Sequence, residues 1–558
     1  MNDETEDWDG LRASAGVAPP LRLASSGEIV WHFETDVAVI GFGGAGACAA
    51  IEALDQGVRA AVIDRFEGGG ATAMSGSVMY AGGGTRLQKQ LGIEDTAENM
   101  RAYLAHEVGD VVRPETLKQF CDTSVECNDW VQHNGVRYAG KAYDHKTTYP
   151  PAGYSLYYSG NELNAARQVD STPAQRGHIA KGIKPWSAFG PAFYKPLRKS
   201  ALKKGAQKIF QARARRLVID KTGRVIGVEI ARVDPASWAG FVHRRYARWA
   251  GRLHMVSAPL ADRLRARLAR LEDRHAQIAH VRAKKGVVIA SGGFIFNRTL
   301  VKHFAPKYRR TLRLGTTGDD GSGILLGHTV GGALHRMEHA SAWRFINPPA
   351  TWPKTALVNR KGERYVDETL YGASIGAPMF EDQDGQAILI MDHEAFERSK
   401  TEISRKTARP ITILQTRLAF KYASKSADTL EGLAKRIKAD PETLKATVEA
   451  YNKAARGESA DPFGKSPDQM VEITTAPFYA VDMSAGAGGA TPCITLGGLQ
   501  VDEDTGHVLH ADGHAIAGLY AAGRSAVGIA SNIYLSGLSL ADGVFSGRRA
   551  GRSAAHSE

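Results

Sequence analysis

Only four cysteines occur in the 558 residues, Cys48, Cys121, Cys127 and Cys493, and none stands at a spacing that closes a metal site or a disulfide framework. A reduced, cytoplasmic chain is expected, with no metal. Cys48 is expected on the first helix of the nucleotide fold and Cys493 in a loop. No run of 18 apolar residues is present, so no transmembrane helix is expected. The acidic opening MNDETEDWDG has no apolar core of the kind a secretory signal needs. A C-x-x-C-H heme attachment is also missing. Charge of one sign is concentrated rather than spread: of a net +12, residues 241–285 carry twelve Lys/Arg against three acids. The remainder is nearly balanced, which argues against nucleic acid as a partner of the whole protein. The length allows two or three domains, each with its own core. Glycine is abundant, at 60 residues, and clusters beside expected strands, where backbone can approach a ligand.

The stretch TDVAVIGFGGAGACAAIEALDQGVRAAVIDR, residues 35–65, reads as a βαβ unit. Val37–Ile40 is an apolar run typical of a parallel strand buried on both faces. Gly41, Gly43 and Gly46 then form G-x-G-x-x-G before an Ala-rich helix. A second strand, Arg59–Ile63, ends in Asp64, 18 residues after the last glycine. The first glycine permits the turn, the second lets a pyrophosphate reach the backbone, and the third lets helix and strand pack closely. Asp64 is placed to bond an adenosine ribose. The unit therefore binds a dinucleotide. FAD is favoured over NAD by the Gly/Ser/Thr loop FEGGGATAMSGSVMYAGGGT, residues 66–85, which offers backbone amides to a ribityl chain and an isoalloxazine edge. Two later strands also end in glycine, KKGVVIASGGF (284–294) at Gly292–Gly293 and IAGLYAAGRSAVG (516–528) at Gly523. No second dinucleotide unit occurs, so electrons are expected to leave through an external acceptor.

With GGATAMSG, VVIASGGF, TTGDDGSGILLG (316–327), GERYVDE (362–368), TLGGL (495–499) and GLYAAG (518–523) in this order, the chain resembles the flavoprotein superfamily of fumarate reductases and 3-ketosteroid dehydrogenases. The resemblance spans about residues 33–555. It implies an α/β fold: a discontinuous Rossmann-like FAD-binding domain with an inserted α+β cap or catalytic domain. The expected division is an N-terminal extension (1–32), a first FAD-binding segment (33–324), the cap (325–475) and a second FAD-binding segment (476–558). Residues expected to hold FAD are Gly41, Gly43, Gly44, Ala45 and Gly46 of the first turn, and Asp64 and Arg65 after the second strand. Gly70, Ala71, Thr72, Ser75 and Gly76 follow in the loop. Ala290, Gly292, Gly523, Arg524, Ser539 and Leu540 complete the set from the later strands and the last helix. Arg524 is a departure, because the family usually has an acid there facing the ribityl chain.

The basic segment 235–283 interrupts two strands of the FAD domain. Leu260, Leu264, Leu268 and Leu271 stand at helical spacing within it. Three readings stay open: a helical excursion packed through its leucines, an oligomer contact, and a peripheral contact with anionic lipid, for which Trp238, Phe241 and Trp249 accompany the arginines.

The chemistry turns on three positions. Fumarate reductases carry an Arg shortly after RFxNE, a His before TMGG and an Arg in NRLGG. Here those places hold Tyr371 and Gly372, Ile494, and Tyr534. Neutral side chains compensate a dicarboxylate poorly but suit a hydrophobic ketone. The resemblance then narrows to 3-ketosteroid dehydrogenases. In these a Tyr placed like Tyr534 bonds the 3-keto oxygen, and one placed like Tyr371 lies on the catalytic side. Tyr534-x-Ser536 is similar to the branch that forms the Δ4 double bond in 5α-steroids. The Δ1-forming branch is the alternative, and a fumarate-type reductase a more remote one. A donor to the keto oxygen lowers the enolate-forming barrier by about 3–4 kcal/mol. Tyr534 is the expected donor, with the backbone N–H of Gly537 or Leu538, and Ser536 the first link of a proton relay through Tyr371. A further cluster, Tyr149, Tyr154, Tyr157 and Tyr158, reads equally well as a pocket wall or a packed loop. His178 is expected to be structural.

Overall fold

Val37–Ile40 lies in the strand Phe33–Ile40, and its four side chains are buried. It pairs in parallel with Ala60–Asp64 on one side and with the second half of the long strand Gln277–Ile289 on the other. That second half also pairs in parallel with Ala515–Ala521. The three glycine-ended strands, far apart in the chain, are thus neighbours in one nine-stranded mixed sheet. The computed structural model describes residues 7–557 except 26, 183–189, 255–256, 405–409 and 488–490.

The helix Gly44–Asp55 is built of small residues and lies buried along nearly its whole length. It can do so because the final helix, Leu538–His556, presents Gly543, Gly547 and Gly551 to it at intervals of four. A methyl group on Gly547 would meet the Ala45 carbonyl oxygen at 2.5 Å, and one on Gly551 the Ala49 oxygen at 2.3 Å. Only a glycine stripe lets the two helices approach this closely.

Two expected boundaries shift. Residues 7–32 are no separate extension: Leu11 enters the main core, and Leu21–Arg22 adds an edge strand parallel to Val218–Ile219. The cap sheet, in the order Ala356–Val358, Ile388–Met391, Phe478–Asp482, Ser424–Ala427, takes one strand from beyond residue 475. The reason is register: Phe478–Asp482 pairs with both of its neighbours and shares their core. The expected helical pair is present as Leu430–Ile437 and Pro441–Ala455, capped by the side chains of Thr429 and Asp440. Beneath it the acid of GERYVDE is structural. Glu368, fully buried, accepts hydrogen bonds from Arg364 and Lys465 and from the Leu357 amide. Cys48 is on its helix, whereas Cys493 lies in a strand, Pro492–Thr495, rather than a loop.

The basic insertion forms a helical hairpin, Trp238–Leu253 and Ala258–His275, and the sheet resumes at Gln277, before the expected 283. Arg232 and Gln277 are paired across the antiparallel strands, so the hairpin leaves and re-enters the sheet at one point. Leu268 and Leu271 are buried, while Leu260 faces outward with Trp238, Phe241 and Trp249. The leucine stripe alone does not explain its seat. Glu272 does: it accepts from His243 (2.9 Å) within the hairpin and from Arg65 (2.8 Å) of the βαβ unit. Among the described residues no helix is long and apolar enough to cross a membrane.

Candidate active site

A cavity of about 510 Å3 runs from the glycine turn at Gly41–Ala45 to Trp343, Ile494 and Tyr534. Of the residues expected to hold the cofactor, all line it except Gly46 and Gly76. Gly46 serves helix–strand packing, since a methyl there would lie 1.9 Å from the Gly41 oxygen. Gly76 accepts a hydrogen bond from the Tyr149 hydroxyl at 2.5 Å. Asp64 organises backbone: its carboxylate accepts from the amides of Phe42 (2.9 Å), Phe66 (2.8 Å) and Gly68 (3.2 Å). Burial nonetheless raises its pKa. Arg65 is held in ion pairs with Glu272 and Asp320, both at 2.8 Å.

Arg524, where the family has an acid, is ion-paired with Asp319, whose second oxygen accepts from the Thr316 amide at 2.7 Å. The acid is therefore supplied by TTGDDGSG, a partnership no sequence spacing reveals. The Nη1 of Arg524 is buried without a partner among the described residues. Gly43, at the start of the first helix, has no cap side chain, and a methyl placed on it would find nothing nearer than 3.9 Å. The Gly44 amide donates to Thr72 Oγ1 at 3.0 Å, and the orphaned donor and the open cradle beside it fit a ligand rich in phosphate and carbonyl oxygens, as FAD is.

At the far end, the turn carrying Tyr534 is stitched into the protein by its backbone. Ser536 N–H donates to Ser159 O (3.1 Å), and Tyr80 N–H donates to Gly537 O (3.0 Å). Gly537 has φ +93, and a methyl there would lie 2.7 Å from the Tyr80 nitrogen, so only glycine brings the turn this close. Tyr534 lines the cavity and stacks on Trp343, ring centroids 4.5 Å apart at 25°. Burial raises its pKa, opposed by the Gly537 backbone and by the charge of Arg524, so it remains a donor at neutral pH. Tyr371 caps the helix Gly372–Glu381, fixed by its N–H donating to Asn161 Oδ1 (2.5 Å), and its ring meets Phe345 edge-on at 5.5 Å.

Ser536 and Tyr371 are buried and, unlike Tyr534, do not line the cavity. The Ser536 hydroxyl bonds that of Tyr157 at 2.9 Å, and Ser536 lies close enough to Tyr371 to oppose the rise that burial causes in its pKa. Burial drives both tyrosines well above the usual phenol range. Three hydroxyls thus meet at Ser536, one more than expected. Tyr157 was legible only as a member of an aromatic cluster; its strand, Tyr154–Tyr157, turns it inward, while Tyr154 packs edge-on against Tyr143. His178 is structural: buried, held by Thr85 Oγ1 (2.8 Å) and Arg176 O (2.9 Å), with its pKa lowered by burial to about 4.

Glu162, from the same stretch, is buried, and its pKa is pushed up by desolvation to about 7. Oε2 accepts from Gly160 N–H at 2.8 Å, and Oε1 has no partner among the described residues. A carboxyl with a raised folded pKa is protonated when folded but ionised when unfolded between about 4.5 and 7, so stability falls as pH rises through that window. Glu162→Gln is expected to match the parent near pH 5 and to exceed it at pH 8 by on the order of 1–3 kcal/mol, read from urea midpoints. A difference independent of pH would contradict the burial argument.

Residues 36–540 match the family described as FAD binding domain. The chain belongs to that family. This flavoprotein is 37% identical over 521 residues to a 3-oxo-5-alpha-steroid 4-dehydrogenase of Comamonas testosteroni, covering 91% of this chain and 96% of the relative. It is 26% identical over 558 residues to a 3-oxosteroid 1-dehydrogenase of Mycobacterium tuberculosis, covering 90% and 94%. Among solved structures, the 3-ketosteroid-Δ4-(5α)-dehydrogenase of Rhodococcus jostii RHA1, in complex with 4-androstene-3,17-dione, superposes with a TM-score of 0.79 at 31% identity, covering 96% of this chain and all of that one.

Proposed function

We propose that this flavoprotein is an FAD-dependent 3-oxosteroid 4-dehydrogenase. It removes a proton from C4 and a hydride from C5 of a saturated 3-ketosteroid, leaving a C4–C5 double bond. The observation that carries the reading is the Tyr534–Ser536 turn at the end of the cofactor cavity, with neutral side chains at every carboxylate-binding place of the fumarate reductases.

FAD, when bound, would supply the acceptor for the hydride, and through it the way out for two electrons to an external acceptor. Gly41–Ala45, Gly70–Thr72, Ser75 and Gly523–Arg524 would hold it. Tyr534 donates its hydroxyl proton as a hydrogen bond to the 3-keto oxygen, reinforced by the Gly537 amide, and stabilises the charge that develops there when the C4 proton leaves. Ser536 accepts that proton only as it releases its own, because an isolated serine hydroxyl is far too weak a base. Tyr157 and Tyr371 are the hydroxyls that take it onward. Trp343, stacked on Tyr534, lines the cavity beside it and offers a ring face to a flat apolar substrate. The aromatic faces of Trp343, Phe345 and Tyr371 match such a substrate in shape and polarity.

The test is anaerobic turnover of a saturated 3-keto-5α-steroid with an artificial electron acceptor, with the position of the new double bond determined. A 4-ene supports the reading, and a 1-ene without 4-ene overturns it in favour of the Δ1 reaction. Ser536→Ala should lower kcat by about 10²–10⁴-fold, a general acid–base effect, while flavin content stays at the parent level. Unchanged kcat would remove Ser536 from the relay.

A further inference from the structure

The helical hairpin stands over the corner of the cavity formed by Asp64–Gly69 and Ala212–Ala214, the end away from Tyr534. In a dinucleotide fold that corner receives the adenosine. His243 of the hairpin packs on Phe66 at a 30° tilt, ring centroids 5.8 Å apart, and Glu272 grips Arg65, so this wall is locked to the βαβ unit.

The arginines around the cavity fall into two groups. Arg65, Arg213, Arg265 and Arg524 each face a carboxylate: Glu272, Glu272 again, Asp262 and Asp319. The other three come from the first hairpin helix. Arg244 donates to the Pro235 carbonyl (2.8 Å), and Arg248 and Arg252 form no ion pair among the described residues. The three stand at i, i+4 and i+8, one stripe of the helix. Beside them Ala247 and Gly251 also line the cavity, and a methyl on Gly251 would meet nothing within 4 Å. A row of unneutralised guanidiniums next to a shelf of small residues is a surface for a flat ring joined to phosphates.

The geometry points to the hairpin as the clamp for the adenosine diphosphate portion of FAD. Arg244, Arg248 and Arg252 supply the countercharge to the diphosphate, which Arg65 cannot give because Glu272 and Asp320 neutralise it. Ala247 and Gly251 leave room for the adenosine. The inference rests on FAD as the cofactor and is independent of which steroid bond is oxidised.

The test measures FAD release from the purified holoprotein, by recovery of free-flavin fluorescence after dilution over a series of NaCl concentrations. The Arg248→Gln/Arg252→Gln double variant should hold FAD about tenfold or more weakly, and with a shallower dependence on salt, because two charge-assisted contacts are gone. ADP should compete with FAD reloading in the parent and much less in this variant. The control is Arg267→Gln/Arg270→Gln, on the exposed side of the second helix, which changes net charge equally and should stay within about twofold of the parent. Equal retention in all three proteins, or equal weakening in both doubles, overturns the clamp. Should the first double fail to fold, the single variants Arg248→Gln and Arg252→Gln give the same readout, and FAD retention and salt slope equal to the parent in both overturn the clamp. A parent protein that takes up no FAD on reloading would instead refute the cofactor itself.

Discussion

Tyr534→Phe is expected to lower kcat for the saturated ketosteroid by about 10²–10³-fold, with bound flavin and fold intact. The ring stays, so the stack on Trp343 at 4.5 Å is preserved and cavity shape changes little. What disappears is the one hydroxyl proposed to donate to the keto oxygen, where negative charge develops. Its absence is felt in the transition state more than in the bound ketone, so kcat should fall further than KM rises. The Gly537 amide remains and should keep residual turnover above background. The check is steady-state kinetics beside the flavin absorbance of the same sample. An equal loss in Phe345→Leu, which touches Tyr371 and not the keto oxygen, would point to pocket shape rather than the donor.

Asp95→Asn is expected to cost about 3–5 kcal/mol of stability, far more than a surface charge change. Asp95 and Arg176 form a two-pronged ion pair, at 2.7 and 2.9 Å, and both side chains are 0% exposed. Neutralising the acid leaves a guanidinium buried with no opposite charge in contact. Asp95 also accepts from the Gly83 amide and from Asn99, so a loop start and a helix lose an anchor together. The site should feel it, because Arg176 leads through the strand Gly177–Ile179 to Tyr157, paired with Gly177 across the sheet. A urea midpoint within error of the parent would show that the buried pair contributes nothing net. Recovery in Asp95→Asn/Arg176→Met would identify the uncompensated charge as the cause.

Much of this was readable from local signals. G-x-G-x-x-G between two apolar strands has few alternatives, and Gly41, Gly43 and Asp64 lie where the pattern puts them. Tyr534 was legible for a different reason: it stands where relatives acting on acids place an arginine, and the exchange removes the charge such a substrate needs. The relay was only half legible. Tyr157 and Ser536 are separated by 379 positions, and nothing along the chain couples a strand in the first third to a turn near the end. The hairpin was the least legible element. Its composition told of helix and charge, but a basic amphipathic segment looks alike whether it faces lipid, a second subunit or a cofactor.

The sequence by itself determined the family, the dinucleotide cofactor and the neutrality of the substrate end, because each depends on short-range pattern: a turn that only glycine makes, a strand that only apolar residues fill, a position with or without charge. The tertiary structure alone decided which ionic groups are neutralised and which remain available. Arg65 and Arg524 read as free cations in the chain, but folding brings Glu272, Asp320 and Asp319 against them. Arg248 and Arg252 read as surface charge and stay exposed, but folding sets them on the rim of the cavity. Coulomb attraction depends on distance in space and on burial, and neither is written in the order of the residues.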